Sequence, residues 1–150
     1  MIVSSSETLV RFASGGHIAD GKIGGTAFQL KADEADGMSV SNLSVLHNNI
    51  DVALEALRKT FGSRLNVRKT GRFAEFTIQD VIAKLVEAHL AWDISYVSNP
   101  LCAKGTELAD PSHGLILGLP ASGTPEGEMV GDLIASVVIR LHAALPTTKV

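Results

Sequence analysis

The chain has 150 residues, a formal net charge of −3, 45% hydrophobic and 19% charged residues, which are the proportions of one folded domain spanning 1–150 and exclude a chain that is disordered as a whole. A net negative charge argues against binding nucleic acid through overall charge, and Cys102, alone, excludes an intramolecular disulfide and points to a reducing, cytoplasmic compartment. The most apolar run, Leu133 to Ile139, is too short to span a bilayer and the first twenty residues lack a secretory pattern, so neither membrane nor export is expected.

Residues 1–7 are Ser-rich and, with 147–150, are predicted to be flexible. "TLVRF" (8–12) reads as a short strand with one charge, Arg11, among apolar neighbours. The next sixteen residues, "ASGGHIADGKIGGTAF", carry five glycines and read as loop or tight turn. Two strand candidates follow, "AFQL" and "MSVSNL", separated by the acidic loop "KADEADG". Asn49 caps a predicted helix whose apolar face is Ile50, Leu54, Leu57 and Phe61, with Gly62 placed to end it. "RFAEFTI" (72–78) alternates as a strand and hands over at Thr77, the start of a capping box, to a second helix with Val81, Ile82, Leu85 and His89 on one face. "WDISYV" and "HGLILGL" read as two more strands. Thr124-Pro125 opens a long C-terminal packing helix, with a stripe from Met129 to Leu145 and a stop at Pro146. The sum is a single α+β domain, a mixed sheet with helices mainly on one face. Because the last helix is apolar on nearly all sides, a homodimer burying part of 129–145 is expected.

No strong catalytic or cofactor motif is present. The spacing Gly16 to Lys22 approaches a phosphate-binding loop, but Ile23 stands where a magnesium-holding Ser or Thr is needed and no helix follows, so a turn-rich connector is the better reading. Arg11 must end at the surface, in an ion pair or at an anion site, because an unpaired buried charge is very costly. Lys22 adds a second cation if the Gly-rich segment folds back over that strand. "DPSHGLILGLP" (110–120) sets Ser112 and His113 at a strand mouth, with His17 a distant candidate partner; the same Asp-Pro-Ser is equally the chemistry of a turn. Five scattered histidines with no ligand spacing predict no metal site, and no cofactor is implied. His89 and His142 are expected partly buried or at helix ends. Arg58, Lys59, Arg64, Arg68, Lys69 and Arg72 fall in fifteen residues without Asp or Glu, the one patch through which nucleic acid or an acidic protein could be met, or else a solvated loop.

"LVRF", "DGKIGGTAF" and "MSV" near the start, with "FTIQDVIAKL" and "DPSHGLILGLP" in the second half, resemble a family of small bacterial proteins without an established activity. The shared pattern is an arginine in the first strand, a basic residue after a glycine, an Ala-Phe pair, a Leu-Ser-Val-like strand and a late Pro-x-His before a strand. Arg11, Lys22, Ala27, Phe28, Ser39 and His113 occupy those places; the helix after Asn49 and its basic flank lie outside it. The resemblance implies a cytosolic bacterial accessory protein of a defence or toxin neighbourhood, binding a protein partner or a phosphate or nucleotide ligand, with Arg11, Lys22, Ser39 and His113 as candidates for one cleft. The early arginine, the glycine-rich segment and the serine on a following strand are also similar to ADP-ribosyltransferase-like toxins; the alternative is a nucleotide-processing enzyme with an Arg/Ser/His cleft, either transferring ADP-ribose, as that likeness implies, or cleaving a phosphodiester. That family needs a late glutamate, a role for which the sequence position of Glu107 is a poor fit.

Overall fold

The structure, a computed structural model, describes residues 7–31, 34 and 37–145. Apart from Glu7, the termini predicted to be flexible, and Pro146 as helix stop, lie outside the described residues. The chain is a single α+β domain. Six strands form one sheet: β1 (Leu9–Ala13), β4 (Met38–Asn42), β5 (Arg72–Phe76), β6 (Ser95–Ser98), β7 (His113–Leu117) and β8 (Arg140–Ala143), in the order β6-β7-β4-β1-β5-β8. All five pairings are antiparallel, so the sheet is not mixed in strand direction. Two short strands, β2 (Ile18–Ala19) and β3 (Lys22–Ile23), make a hairpin out of the Gly-rich segment, turning at Asp20 and Gly21, both at positive φ.

The helices do not gather on one face. α2 (Ile50–Arg64) packs Ala53, Leu54 and Leu57 against Val10 and Phe73. α3 (Ile78–Glu87) and α4 (Pro125–Ser136) cover the opposite face, where Leu9, Met38, Phe76, Ile116 and Ile134 are buried together. The reason is visible in the central strands: Leu9 and Val10, like Phe73 and Ala74, are neighbours in sequence, point to opposite sides and are all buried. Short α1 (Leu43–Leu46) leads from β4 towards α2. The three predicted caps are in place. Asn49 accepts from the N–H groups of Asp51 and Val52, Thr77 from Asp80 and Thr124 from Gly127.

Two expected elements differ, and α2 runs through Gly62, its expected end, to Arg64. "AFQL" is not a strand: Gly25–Phe28 is a 3-10 turn lying on α4. A Cβ on Gly131 would stand 2.6 Å from the Gly25 carbonyl, so backbone meets backbone there. The C-terminal packing helix exists but stops at Ser136, and Arg140–Ala143 is the edge strand β8. The β-branched run Val137-Val138-Ile139 leaves the helix, and the Ile139 N–H donates to the Glu75 carbonyl, so sheet pairing replaces further turns. The continuous stripe to Leu145 from which a homodimer was expected therefore does not form. His89 is exposed at positive φ just past α3, not on its apolar face, whereas His142 is partly buried on β8.

Candidate functional site

The site follows from where α2 stops. It covers β1 and β5 but leaves the same face of β4 and β7 open, and there the period-two alternation presents Ser39, Ser41 and His113. The hairpin from β6 to β7 continues past the sheet through the bridges Leu101↔Asp110 and Lys104↔Glu107. Its far end is tied to the end of α2. Arg64 Nε donates to the Leu108 carbonyl at 2.9 Å, Nη2 to the carbonyls of Leu108 at 2.7 Å and Cys102 at 2.9 Å, and the Leu108 N–H donates to Ser63 Oγ at 2.9 Å. Sheet, helix end and hairpin thus enclose a cleft of about 390 Å³, a size suited to a small molecule. Val10, Phe12, Phe61, Leu65 and Leu101 supply its apolar wall.

At its base β1 and β4 part. They pair at Leu9↔Asn42 and Val10↔Ser41; continued, that register would set Phe12 opposite Ser39. Instead the Ser39 main chain meets an ion pair. Its N–H donates to Glu34 Oε2 at 2.7 Å and its carbonyl accepts from Arg11 Nη1 at 2.9 Å. Arg11 also donates from Nη1 and Nη2 to the two Glu34 oxygens at 2.8 and 3.0 Å, from Nε to the Ala27 carbonyl at 2.7 Å and from Nη2 to the Gln29 carbonyl at 3.3 Å. A guanidinium has five N–H groups, and all five are engaged. Burial alone would raise the Glu34 carboxyl. The Arg11 hydrogen bonds and charge, with the Ser39 and Lys31 N–H donors, outweigh it and lower the pKa to about 2. Arg11 and Glu34 are 2% and 7% exposed, so the pair is internal.

Across the cleft, His113 Nδ1 lies 2.7 Å from the Asn99 carbonyl and Nε2 lies 3.3 Å from Ser39 Oγ. A carbonyl only accepts, so Nδ1 carries a proton, and in the neutral ring Nε2 accepts the Ser39 hydroxyl. The preceding Asp110-Pro111-Ser112 is a turn: Asp110 Oδ1 accepts from the Ser112 N–H at 3.1 Å and hydroxyl at 2.6 Å. Ser112 is fully buried, so the serine facing His113 is Ser39, from a distant strand.

Of the candidates drawn from sequence, Arg11, Ser39 and His113 line one cleft. Lys22 does not; it is exposed on the β2–β3 hairpin. His17 lies near Thr26 Oγ1 at 2.9 Å, its pKa lowered by burial and then by the Lys31 and Arg11 charges. The basic segment divides. Arg58, Arg64 and Arg72 turn to main-chain carbonyls, Arg58 to Ala143 and Arg72 to Lys69 and Gly71, while Lys59, Arg68 and Lys69 are exposed. Sequence reasoning did not single out Glu34 or Asn99, read Phe61 only as part of a helix face, and set aside Glu107, which lines the cleft 3.9 Å from Arg64 Nη1. The acidic loop between two strands was the available signal for Glu34; the Asn99 contact is a main-chain carbonyl and left no signal in the side-chain pattern. Among the described residues no three His, Cys, Asp or Glu side chains gather as a metal site, and no helix is long and apolar enough to cross a membrane. No family model, curated protein or solved structure matches the chain.

Proposed function

We propose that this domain is a ligand-binding accessory protein of the bacterial cytosol, of the defence or toxin type that the sequence resemblance implies, and that its cleft holds a small molecule with an apolar body and a phosphate-like head. The observation that carries this reading is the unequal state of the two arginines lining the cleft. Arg11 has no donor left for a ligand, whereas Arg64 Nη1 makes no hydrogen bond among the described residues and stands 3.9 Å from Glu107. Arg64 Nη1 is then a donor on the cleft wall for an incoming anion, the Ser39 hydroxyl can turn to it from His113, and His113 Nε2 donates once the ring is protonated, while Phe12 and Phe61, 5.6 Å apart, offer an aromatic wall.

NMR titration with inorganic phosphate, ATP and NAD tests it. The His113 ring signals should move while those of His142, held 2.8 Å from Glu75, stay still, and Arg64→Gln should remove the response. If none of the three perturbs His113 at millimolar concentration, the small-molecule reading is wrong and a protein partner takes its place. A nucleotide-processing enzyme is the second reading, favoured by the Ser39–His113 contact and by Glu107 on the cleft wall. Self-association is a separate proposal. Its support is the exposure of Ile82, Val86, Met129 and Ile139, and a monomer by light scattering across micromolar concentrations would remove it.

A further inference from the structure

We infer that Ser39 is a nucleophile, with His113 as its general base, and that the cleft cleaves small acyl esters. The inference rests on the reading of the cleft as a small-molecule site. Three observations carry it. Ser39 Oγ and His113 Nε2 are 3.3 Å apart within a cleft large enough for an acyl group and its leaving alcohol. The Asn99 carbonyl at Nδ1 fixes the tautomer in which Nε2 has a lone pair for the Ser39 proton, the part an orienting carboxylate plays in a serine triad. The serine is held from behind as well: the Arg11–Glu34 pair binds both polar groups of the Ser39 main chain, so nucleophile and base are fixed by independent contacts. The apolar residues Val10, Phe12, Phe61 and Leu65 are available for the acyl chain, and Arg64 Nη1, which makes no hydrogen bond among the described residues, is a donor on the cleft wall for a developing oxyanion.

In the reaction the Ser39 Oγ–H proton passes to Nε2 as Oγ bonds to the acyl carbon. The bond from that carbon to the leaving oxygen then breaks, and the leaving alkoxide takes the proton from Nε2. Water, deprotonated by Nε2, attacks the acyl carbon; the bond from that carbon to Ser39 Oγ then breaks, Oγ takes the proton back from Nε2, and the carboxylic acid leaves. No other reactant is needed. Arg11 and Glu34 are positioning residues in this scheme and do not touch the reacting atoms.

Native protein is exposed to a small dialkyl fluorophosphonate, with fluoride as leaving group, and followed by intact mass and peptide mapping. The expected result is one adduct, on Ser39, absent in Ser39→Ala and in urea-unfolded chain, and formed at least about tenfold more slowly in His113→Gln. The proposal is overturned by no adduct on native protein, by an adduct on another serine, or by equal rates in His113→Gln. If the phosphate titration still moves His113 while no adduct forms, the cleft binds ligand without this chemistry, which separates the two failures. Should His113→Gln not fold, Ser39→Cys decides. Its introduced thiol should be alkylated by iodoacetamide at a pH at least about one unit below that of an ordinary thiol near 8.5, with the exposed Cys102 as reference in the same sample; an ordinary profile at the introduced thiol overturns the assignment.

Discussion

The two faces of the sheet are built from the same strands and serve different ends. On the α3–α4 face, β4 and β7 present Met38, Val40, Gly114 and Ile116, which close into a dry core with Phe28, Phe76 and Ile134. On the α2 face the same strands present Ser39, Ser41 and His113, and among the described residues no helix covers them. Alternation separates a core from a cleft one residue away, and the cleft remains because α2 stops short of half of one face and the hairpin beyond β6 and β7 forms its other wall. The Arg11–Glu34 pair stands at the seam, bonded at once to the 3-10 turn of the dry side and to the Ser39 main chain of the open side.

The largest expected effect belongs to the dry face. Phe76→Ala removes a fully buried ring that meets Phe28 edge-on at 5.8 Å, and chemical denaturation should show a loss of about 3–5 kcal/mol. At the seam, Glu34→Ala leaves Arg11 buried without its carboxylate. A loss of about 3 kcal/mol or more is expected; replacing both members by Met removes the unpaired charge and should cost less, though not nothing, because the Ala27, Gln29 and Ser39 main chain loses its partners. A single substitution no worse than the double would show that the pair is not a seam at all.

The same carboxylate gives a pH signature. Glu34 is held at about 2 in the folded chain against an ordinary value of 4.5, so its contribution is complete above about pH 4.5 and is lost as the pH falls from there through about 2. Denaturation midpoints should therefore fall across that window. In the double Met variant the slope there should be shallower; an equal slope would place the acid sensitivity elsewhere.

Smaller effects sharpen the contrast. Gly131→Ala sets a methyl group against the Gly25 carbonyl and should cost about 1–3 kcal/mol by overpacking, with the His113 spectrum unchanged. His113→Gln should shift stability by no more than about 1 kcal/mol, because only side-chain hydrogen bonds at an open cleft are altered. Yet it should abolish the response to phosphate. The two variants thus exchange outcomes: one loses stability and keeps the site, the other keeps stability and loses it.

Local rules made much of the fold legible. Asn49, Thr77 and Thr124 each marked a helix start that the structure keeps, alternation marked β5, and short apolar runs marked β1, β4 and β7. Misreadings arose where distant contacts override local pattern. The stripe from Met129 to Leu145 fits a helix, but Val137 to Ile139 favour extended chain and Glu75 offers His142 and Arg140 a charged partner across the β5 edge, at 2.8 and 3.4 Å. "AFQL" has strand composition, but the close approach of Gly25 and Gly131 holds the segment on α4. For the site, the chemistry of Arg11, Ser39 and His113 was visible, and their meeting in one cleft was an expectation that the strand order brings about. Arg11's partner was not visible, because Glu34 is one of several acids in its loop and only the parting of β1 from β4 selects it.

The central claim is that Arg11 holds the site together and Arg64 faces what binds there. Nitrogen-15 NMR of the arginine side chains tests this most directly, since a guanidinium with all five N–H groups engaged neither rotates nor exchanges freely. The account predicts separate, slowly exchanging Nη1 and Nη2 signals for Arg11, unchanged by millimolar phosphate, while the Arg64 signals move. A single averaged Nη signal for Arg11, or an Arg11 that moves with phosphate while Arg64 stays fixed, would contradict it.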